Sequence, residues 1–377
     1  MNNDIEAMKL ALRLARRGYG ATSPNPMVGA VLARGGQIIG RGWHRRAGLP
    51  HAEIEALHDA QKHGHNPRGA TLYVTLEPCS THGRTPPCTE AIIAAGIRKV
   101  VIGATDPNPK HAGRAFRILQ RAGIKVVHGI LADECAQLNE AFNHWIVRGT
   151  PFVTVKAAMT LDGKIATADG ESKWITGVQA RAFGMKLRQG ADAVLVGVNT
   201  ILADDPSLTF RSSAKAAHPK RVRRIVLDSL ARTPLNARIV RDEFAALTTI
   251  VVSKNAPKNR IAALAKRVNV LVAPLQKTRT LKRELQLKVD LRWLLKKLGA
   301  ENVTSILVEG GGETNASFLL GGLAQRVAFF YAPKILGGRD ARKAVAGEGI
   351  MRLADAIQLR DVEWQKVGED LAMTARL

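Results

Sequence analysis

Thr71-Leu72-Tyr73-Val74-Thr75-Leu76-Glu77-Pro78-Cys79 is a β-rich run that stops at a proline and a thiol, and its reading decides the fold of the first half of the chain. Upstream, His51-Ala52-Glu53 opens a predicted helix after the Gly48-Leu49-Pro50 turn. Downstream, Cys88 precedes a helix expected from about Thr89 to Ala95. A strand end and two helix starts can converge at one sheet edge, which brings one imidazole and two thiols together. Three such ligands leave the fourth tetrahedral position of a zinc ion open for water, where a structural site would be closed. Zinc lowers the pKa of that water to about 7. Glu53, two residues past the histidine ligand and not itself a ligand, can shuttle the water's proton. His-x-Glu alone occurs by chance, and Cys79 and Cys88 alone could be buried thiols; it is the combination with Pro78 that points to a hydrolytic metal centre. In a purely structural site, His44 or His82 would have to supply the fourth ligand. Cys135 lies on a predicted helix outside the pattern and reads as core.

Working outward, Val28–Ala33 and Gln37–Gly42 flank Gly35-Gly36, a hairpin signal. Met1 to Gly18 reads as an amphipathic helix with Asp4 as N-cap and Ile5, Met8 and Leu12 on one face. It lacks the apolar core of a signal peptide, so a cytosolic protein is expected. After Cys88 come the strand Lys99–Gly103, a helix Arg114–Arg121, the strand Lys125–His128 and a helical stretch from Leu131 to Val147. The break Arg148-Gly149-Thr150-Pro151 divides residues 1–148 from 149–377. Beyond it, strands are expected at Phe152–Ala157, Ala193–Val196, Arg224–Leu227, Thr249–Val252, Val268–Val272, Ser305–Val308 and Arg326–Tyr331. Helices intervene, including Asp290–Leu298, while Ala273–Gln286 reads as a polar surface loop. Such alternation predicts an α/β architecture with a largely parallel sheet.

With 377 residues the chain can fill two ordinary domains. No apolar run is long enough to span a membrane. Three cysteines in a cytosolic chain argue against a disulfide framework and leave metal binding open. The formal charge of +24 suits either nucleic acid or small phosphorylated ligands. Aromatics are only 5%, and no basic stretch is interleaved with them as a base-stacking platform requires, so no nucleic-acid partner is expected.

The His-x-Glu and Pro-Cys pattern resembles that of zinc nucleobase deaminases. Cytidine and tRNA adenosine deaminases have two residues between the cysteines, whereas eight, Ser80 to Pro87, intervene here. That longer loop, with Asn25-Pro26-Met27-Val28-Gly29 and Asp106-Pro107-Asn108-Pro109, resembles the deaminase half of the bifunctional riboflavin-biosynthesis deaminase/reductases. The resemblance implies that Asn25, His82, Asp106 and Asn108 line a pyrimidine pocket. An amide and a carboxylate suit a ring edge offering both donors and acceptors. Lys110 departs from the more apolar residue of the family pattern.

The second half carries Lys156-Ala157-Ala158-Met159-Thr160-Leu161-Asp162-Gly163 with Ser172, Trp174 and Thr176, then Val196-Gly197-Val198-Asn199-Thr200 continuing to Asp204-Asp205-Pro206, then Glu309-Gly310-Gly311-Gly312-Glu313-Thr314-Asn315 after a strand. A glycine-rich strand-to-helix turn lets backbone amides meet a phosphate, although this one lacks the G-x-G-x-x-G spacing. On its own, Asp204-Asp205 would be a solvated turn. Together the clusters resemble the reductase half of the same family. The resemblance implies a cytidine-deaminase-like three-layer α/β/α domain followed by a dihydrofolate-reductase-like α/β domain. It implies one zinc per chain on His51, Cys79 and Cys88, and NADPH against Met159, Trp174, Thr200, Asp204, Ser229 and Gly310, Gly311, Gly312, Glu313, Thr314 and Asn315. A phosphorylated pyrimidine substrate would be held by Lys156, Ser172, Arg188, Leu208, Arg211 and Glu309, with Arg188 and Arg211 available as bidentate phosphate partners. Either Lys156 or Asp204 could organise the reductive proton. The family also implies a homo-oligomer, dimer or tetramer. Two rivals stand: a nucleic-acid-editing deaminase, favoured by the charge, and a non-catalytic protein with a structural zinc.

Overall fold

The computed structural model describes residues 2–82, 86–211, 220–276 and 289–377. The expected loop at Ala273–Gln286 therefore falls largely outside the described residues. The chain divides into two compact units, Met1–Gly149 and Thr150–Leu377.

The first unit runs α1 (Asn2–Ala15), β1 (Gly29–Arg34), β2 (Gln37–Trp43), α2 (Ala52–Lys62), β3 (Thr71–Leu76), α3 (Cys88–Ala94), β4 (Lys99–Ala104), α4 (Arg114–Arg121), β5 (Lys125–His128), α5 (Ala132–Leu138) and α6 (Glu140–Arg148). Its sheet has the order β2-β1-β3-β4-β5. β1 pairs antiparallel with β2 and β3, while β3, β4 and β5 are parallel. Gly35 and Gly36 both have positive φ, as the tight hairpin between β1 and β2 demands. Residues alternate between the two faces of each strand. Ala30, Leu32, Leu72, Val74, Val100 and Ile102 pack under α2, α3 and α4, and Val31, Tyr73 and Val101 pack under α1 and α5. The result is the expected three-layer arrangement.

Three local expectations change. Asp4 does not cap α1, which already begins at Asn2; it sits in the first turn and accepts from Tyr73 Oη at 2.6 Å and Lys99 Nζ at 2.9 Å. Cys88 opens α3 instead of preceding it. The helical stretch from Leu131 breaks at Asn139, whose side chain exchanges two 2.8 Å hydrogen bonds with the backbone of Met27.

The second unit runs β6 (Phe152–Thr160), β7 (Lys164–Ala166), α7 (Val178–Gly190), β8 (Ala193–Gly197), α8 (Val198–Asp204), β9 (Arg223–Leu227), α9 (Arg238–Arg241), β10 (Thr248–Ser253), α10 (Lys258–Ala265), β11 (Asn269–Ala273), α11 (Leu291–Ala300), β12 (Ser305–Val308), α12 (Gly312–Leu319), β13 (Arg326–Ala332), β14 (Arg342–Lys343), β15 (Arg360–Val367) and β16 (Asp370–Arg376). The main sheet has the order β11-β10-β9-β8-β12-β6-β13-β16-β15. It is parallel from β11 through β13. The antiparallel pair β16 and β15, which periodicity does not announce, closes one edge. Val153, Leu195, Ile225 and Val308 pack with α11 and α12 on one face, and Val194, Val196, Val226 and Ile250 with α10 on the other. The chain winds outward from β8 to β11 and then returns to insert β12 beside β8. That reversal opens a crevice at the carboxyl ends of the strands, where doubly wound sheets hold ligands.

Candidate functional sites

In the first unit, His51 is the N-cap of α2 in extended backbone, Cys79 follows β3, and Cys88 is the first residue of α3. Their donor atoms all lie within 4.8 Å of one another. His51 Nδ1 is 3.5 Å from Cys79 Sγ and 3.3 Å from Cys88 Sγ, and the Cys88 amide donates to Cys79 Sγ at 3.2 Å. One borderline imidazole and two soft thiols at this spacing fit a zinc ion, and among the described residues no other His, Cys, Asp or Glu group clusters as a metal site. The Cys88 thiol, followed by His51, pushes Cys79 down to about 4 despite burial, while the Cys79 thiolate and burial push Cys88 up. Glu53 is buried in the first turn of α2; burial and then the Cys79 charge hold its carboxyl above the usual range. A protonatable carboxyl beside a ligand trio can carry a proton in either direction.

Two further groups frame this site. His44, buried edge-on to His51 with ring centroids 5.3 Å apart, donates from Nδ1 to Pro50 O and accepts at Nε2 from the Asn25 amide. Both of its ring nitrogens are thereby engaged away from the trio, and Asn25 is held beside it. Glu77, buried two residues before Cys79, accepts from the backbone amides of Asp106, Gly113 and Ala115 at 2.9–3.1 Å. This ties the Asp106-Pro107-Asn108-Pro109 loop to the turn that carries Cys79. Asp106 in turn accepts from the Asn108 amide at 2.8 Å, and burial raises its carboxyl pKa. His82 stands apart: it is exposed and paired with Glu90 at 3.0 Å. Glu77 carries no local sequence signal, because its partners lie 29 to 38 residues away.

In the second unit a cavity of about 1090 Å³ opens at the crevice. It is lined by Thr200 and Asp204 after β8, Ser229 and Arg232 after β9, and Gly311, Gly312, Glu313 and Thr314 after β12, with Ser172 beside Asp204. The three glycines differ in role. A Cβ on Gly310 would strike the Thr314 side chain, and one on Gly312 would strike the backbone oxygen of Lys343, whereas Gly311 faces open space. Asp204 accepts from Ser172 Oγ at 3.0 Å, and Asp205 accepts from the Arg238 amide; this Asp-Asp pair is not a solvated turn. Asp228, fully buried, accepts from the amides of Arg232 and Thr233 and from the Thr233 hydroxyl, and so shapes the loop bearing Ser229.

Other expected cofactor residues lie off the cavity wall. Met159 packs with Ala157 and Ala344, and Asn315 is fully buried and donates to Ala344 O. Trp174 is 65% exposed, with the Arg181 guanidinium 4.6 Å from its ring. Of the expected substrate residues, Glu309 and Lys156 follow the parallel pair Val308 and Val155 and so stand side by side. Arg188 grips Glu309 through two 2.7 Å bonds and donates a third to Thr209 O. Its fork is therefore already engaged and not free for a phosphate. Burial opposes ionisation of Glu309, but Arg188 and Lys156 hold it below the ordinary carboxylate range. Leu208 is buried and Arg211 is exposed.

Comparison with known proteins completes the picture. Residues 1–104 match the cytidine and deoxycytidylate deaminase zinc-binding region, and residues 151–373 match the RibD C-terminal domain. The riboflavin biosynthesis protein RibD of Actinobacillus pleuropneumoniae is 43% identical, covering 98% of this chain and 94% of its own length. That of Escherichia coli K12 is 41% identical over 97% of both chains. Among solved structures, Acinetobacter baumannii RibD superposes with a TM-score of 0.85 at 34% identity, covering 100% of this chain and 99% of that one. The diaminohydroxyphosphoribosylaminopyrimidine deaminase/5-amino-6-(5-phosphoribosylamino)uracil reductase of Thermotoga maritima superposes with a TM-score of 0.84, also at 34% identity and with the same coverage.

Proposed function

Because the chain belongs to the RibD family, the bifunctional deaminase/reductases of riboflavin biosynthesis, we propose a specific reaction sequence for its two units. Residues 1–148 deaminate 2,5-diamino-6-ribosylamino-4(3H)-pyrimidinone 5′-phosphate, and residues 149–377 reduce the ribosyl side chain of the product to ribityl with NADPH. The observation that carries the first step is the convergence of His51, Cys79 and Cys88 beside a buried Glu53. These three residues hold the zinc, which when bound supplies a water activated at neutral pH. Glu53 would take one proton from the attacking water and deliver it to the ring nitrogen, then take the second from the hydroxyl so formed and pass it to the amino group, which leaves as ammonia. Asn25, steadied by His44, and the Asp106–Asn108 loop, steadied by Glu77, present amide and carboxylate groups to the pyrimidine edge. His82, exposed and paired with Glu90, is the remaining residue that the family likeness assigns to the pyrimidine pocket.

In the reductase unit NADPH supplies the hydride. Thr200, Asp204, Ser229 and the turn from Gly311 to Thr314 bind it, with Gly311 leaving room for phosphate at the start of α12 and with Gly310 and Asn315 supporting that turn from behind the cavity wall. Met159 and Trp174 bound the nicotinamide end. Lys156, Ser172, Leu208, Arg211 and Glu309 hold the ribosyl phosphate; Arg188 contributes by fixing Glu309 and the Thr209 carbonyl. Thiol ligands and NADPH both suit the reducing cytoplasm. A homo-oligomer completes the proposal. Its support is a set of exposed apolar side chains in and before β15: Met351 is 96%, Leu353 90% and Trp364 60% exposed.

Ammonia release from the diaminopyrimidinone ribosyl phosphate in the absence of NADPH tests the first step. Glu53→Gln is expected to slow it by about 10²–10⁴-fold with one zinc per chain retained by metal analysis and with the reductase unchanged when it is given the deaminated intermediate. Unchanged ammonia release in the variant would remove Glu53 from the mechanism.

A further inference from the structure

The loop from Asp205 to Thr209 adopts a conformation its residues do not favour. Asp205 and Leu208 have φ of +40° and +51°, in the left-handed region that a bulky leucine avoids. Such backbone persists only where the surroundings dictate it. Two arginines, one part-buried and one fully buried, bond to the loop's backbone. Arg188 donates to Thr209 O at 3.0 Å, and Arg224 donates from Nη1 to Ser207 O at 3.0 Å. Arg224 is fully buried in β9, gripped by Asp242 at 2.6 and 2.8 Å and bonded to Thr248 Oγ1 and Ile239 O. Burying an ion pair is generally no more stabilising than apolar residues of similar volume, so stability alone does not explain a guanidinium here. Its one bond that leaves the local β9–β10 framework goes to the loop.

We propose that the Arg224–Asp242 pair is a positioning device for the 205–209 loop and so sets the affinity of the reductase for its ribosyl phosphate, not for NADPH. This rests on the reading above that Leu208 and Arg211 face that substrate. The Ser229 loop of the cofactor wall is held by other bonds, those that Asp228 accepts from Arg232 and Thr233, so the two affinities are separable.

The test uses the full-length, zinc-loaded chain, with the deaminated ribosyl phosphate and NADPH varied independently. The double variant Arg224→Met with Asp242→Leu removes both charges and the donor to Ser207 while refilling the space. It is expected to keep the wild-type Tm within a few degrees and to raise KM for the ribosyl phosphate about tenfold, with KM for NADPH changed by less than about twofold. Arg224→Lys, which keeps a donor, is expected to fall between the two. A folded double variant with a wild-type KM for the ribosyl phosphate, or one in which both KM values rise together, overturns the proposal. If the double variant does not fold, Asp242→Asn, which loosens the fork without changing volume, must shift the same KM selectively; an unchanged KM then overturns it. A wild-type chain that consumes no NADPH on this substrate would instead defeat the functional reading.

Discussion

Gly311 and Gly312 adjoin in the sequence, yet a methyl group tells them apart. At Gly311, φ is −73° and a Cβ would enter open cavity. Gly311→Ala should therefore fold normally and raise KM for NADPH several-fold, up to about tenfold. At Gly312 a Cβ would collide with the backbone oxygen of Lys343, which cannot yield as a side-chain tip can. Gly312→Ala should lower stability by about 1–3 kcal/mol, measured by urea denaturation, before any effect on binding is seen. Equal effects of the two changes would contradict these assignments. Residues of this kind also show where sequence reading stops. His51, Cys79 and Cys88 were legible because ligand chemistry demands particular residue types at element ends. Glu77 was not, since this buried carboxylate gains its role from backbone amides 29 to 38 residues away that only the fold brings near.

At the scale of elements, strands buried on both faces announced themselves as apolar runs, and Ser305–Val308 has its expected bounds; so do the helix Arg114–Arg121 and the part-exposed edge strand Lys125–His128. The antiparallel pair β15 and β16 did not announce itself. β15 is exposed along nearly its whole length and rich in charged residues, so it offers no burial period to read. The hairpin joining it to β16 turns at Gly368, with φ of +67°. The α1 helix was legible from its apolar face, but the role of Asp4 was set by tertiary partners. Burial opposes its ionisation, yet the hydrogen bonds from Tyr73 and Lys99 prevail and hold its pKa below the ordinary value. A carboxylate with a lowered folded pKa adds stability above its unfolded pKa and loses it as pH falls through the folded one. Asp4→Asn should thus cost about 1–3 kcal/mol at pH 7, and the difference should shrink below about pH 4. A difference independent of pH between 7 and 3 would show that charge at Asp4 contributes nothing.

At the scale of the whole molecule, the two units pair a metal-type hydrolytic site with a dinucleotide-sized crevice on one chain. Among the described residues no helix is long and apolar enough to cross a membrane. Met351, Leu353 and Trp364 are exposed apolar side chains in and before β15. If a second copy covers them, Trp364→Asp combined with Met351→Asp should convert the sedimenting species to monomer while sparing ammonia release; a wild-type chain that sediments as a monomer would contradict the homo-oligomer. The excess positive charge of +24 suits a chain whose ligands are phosphates. The central claim is that both units act on one substrate in turn. Its most direct test adds the diaminopyrimidinone ribosyl phosphate to zinc-loaded protein with NADPH and follows both ammonia and NADPH. The account predicts one NADPH oxidised for each ammonia released. Ammonia without NADPH loss would contradict the reductive half, and no change in either would contradict the substrate itself.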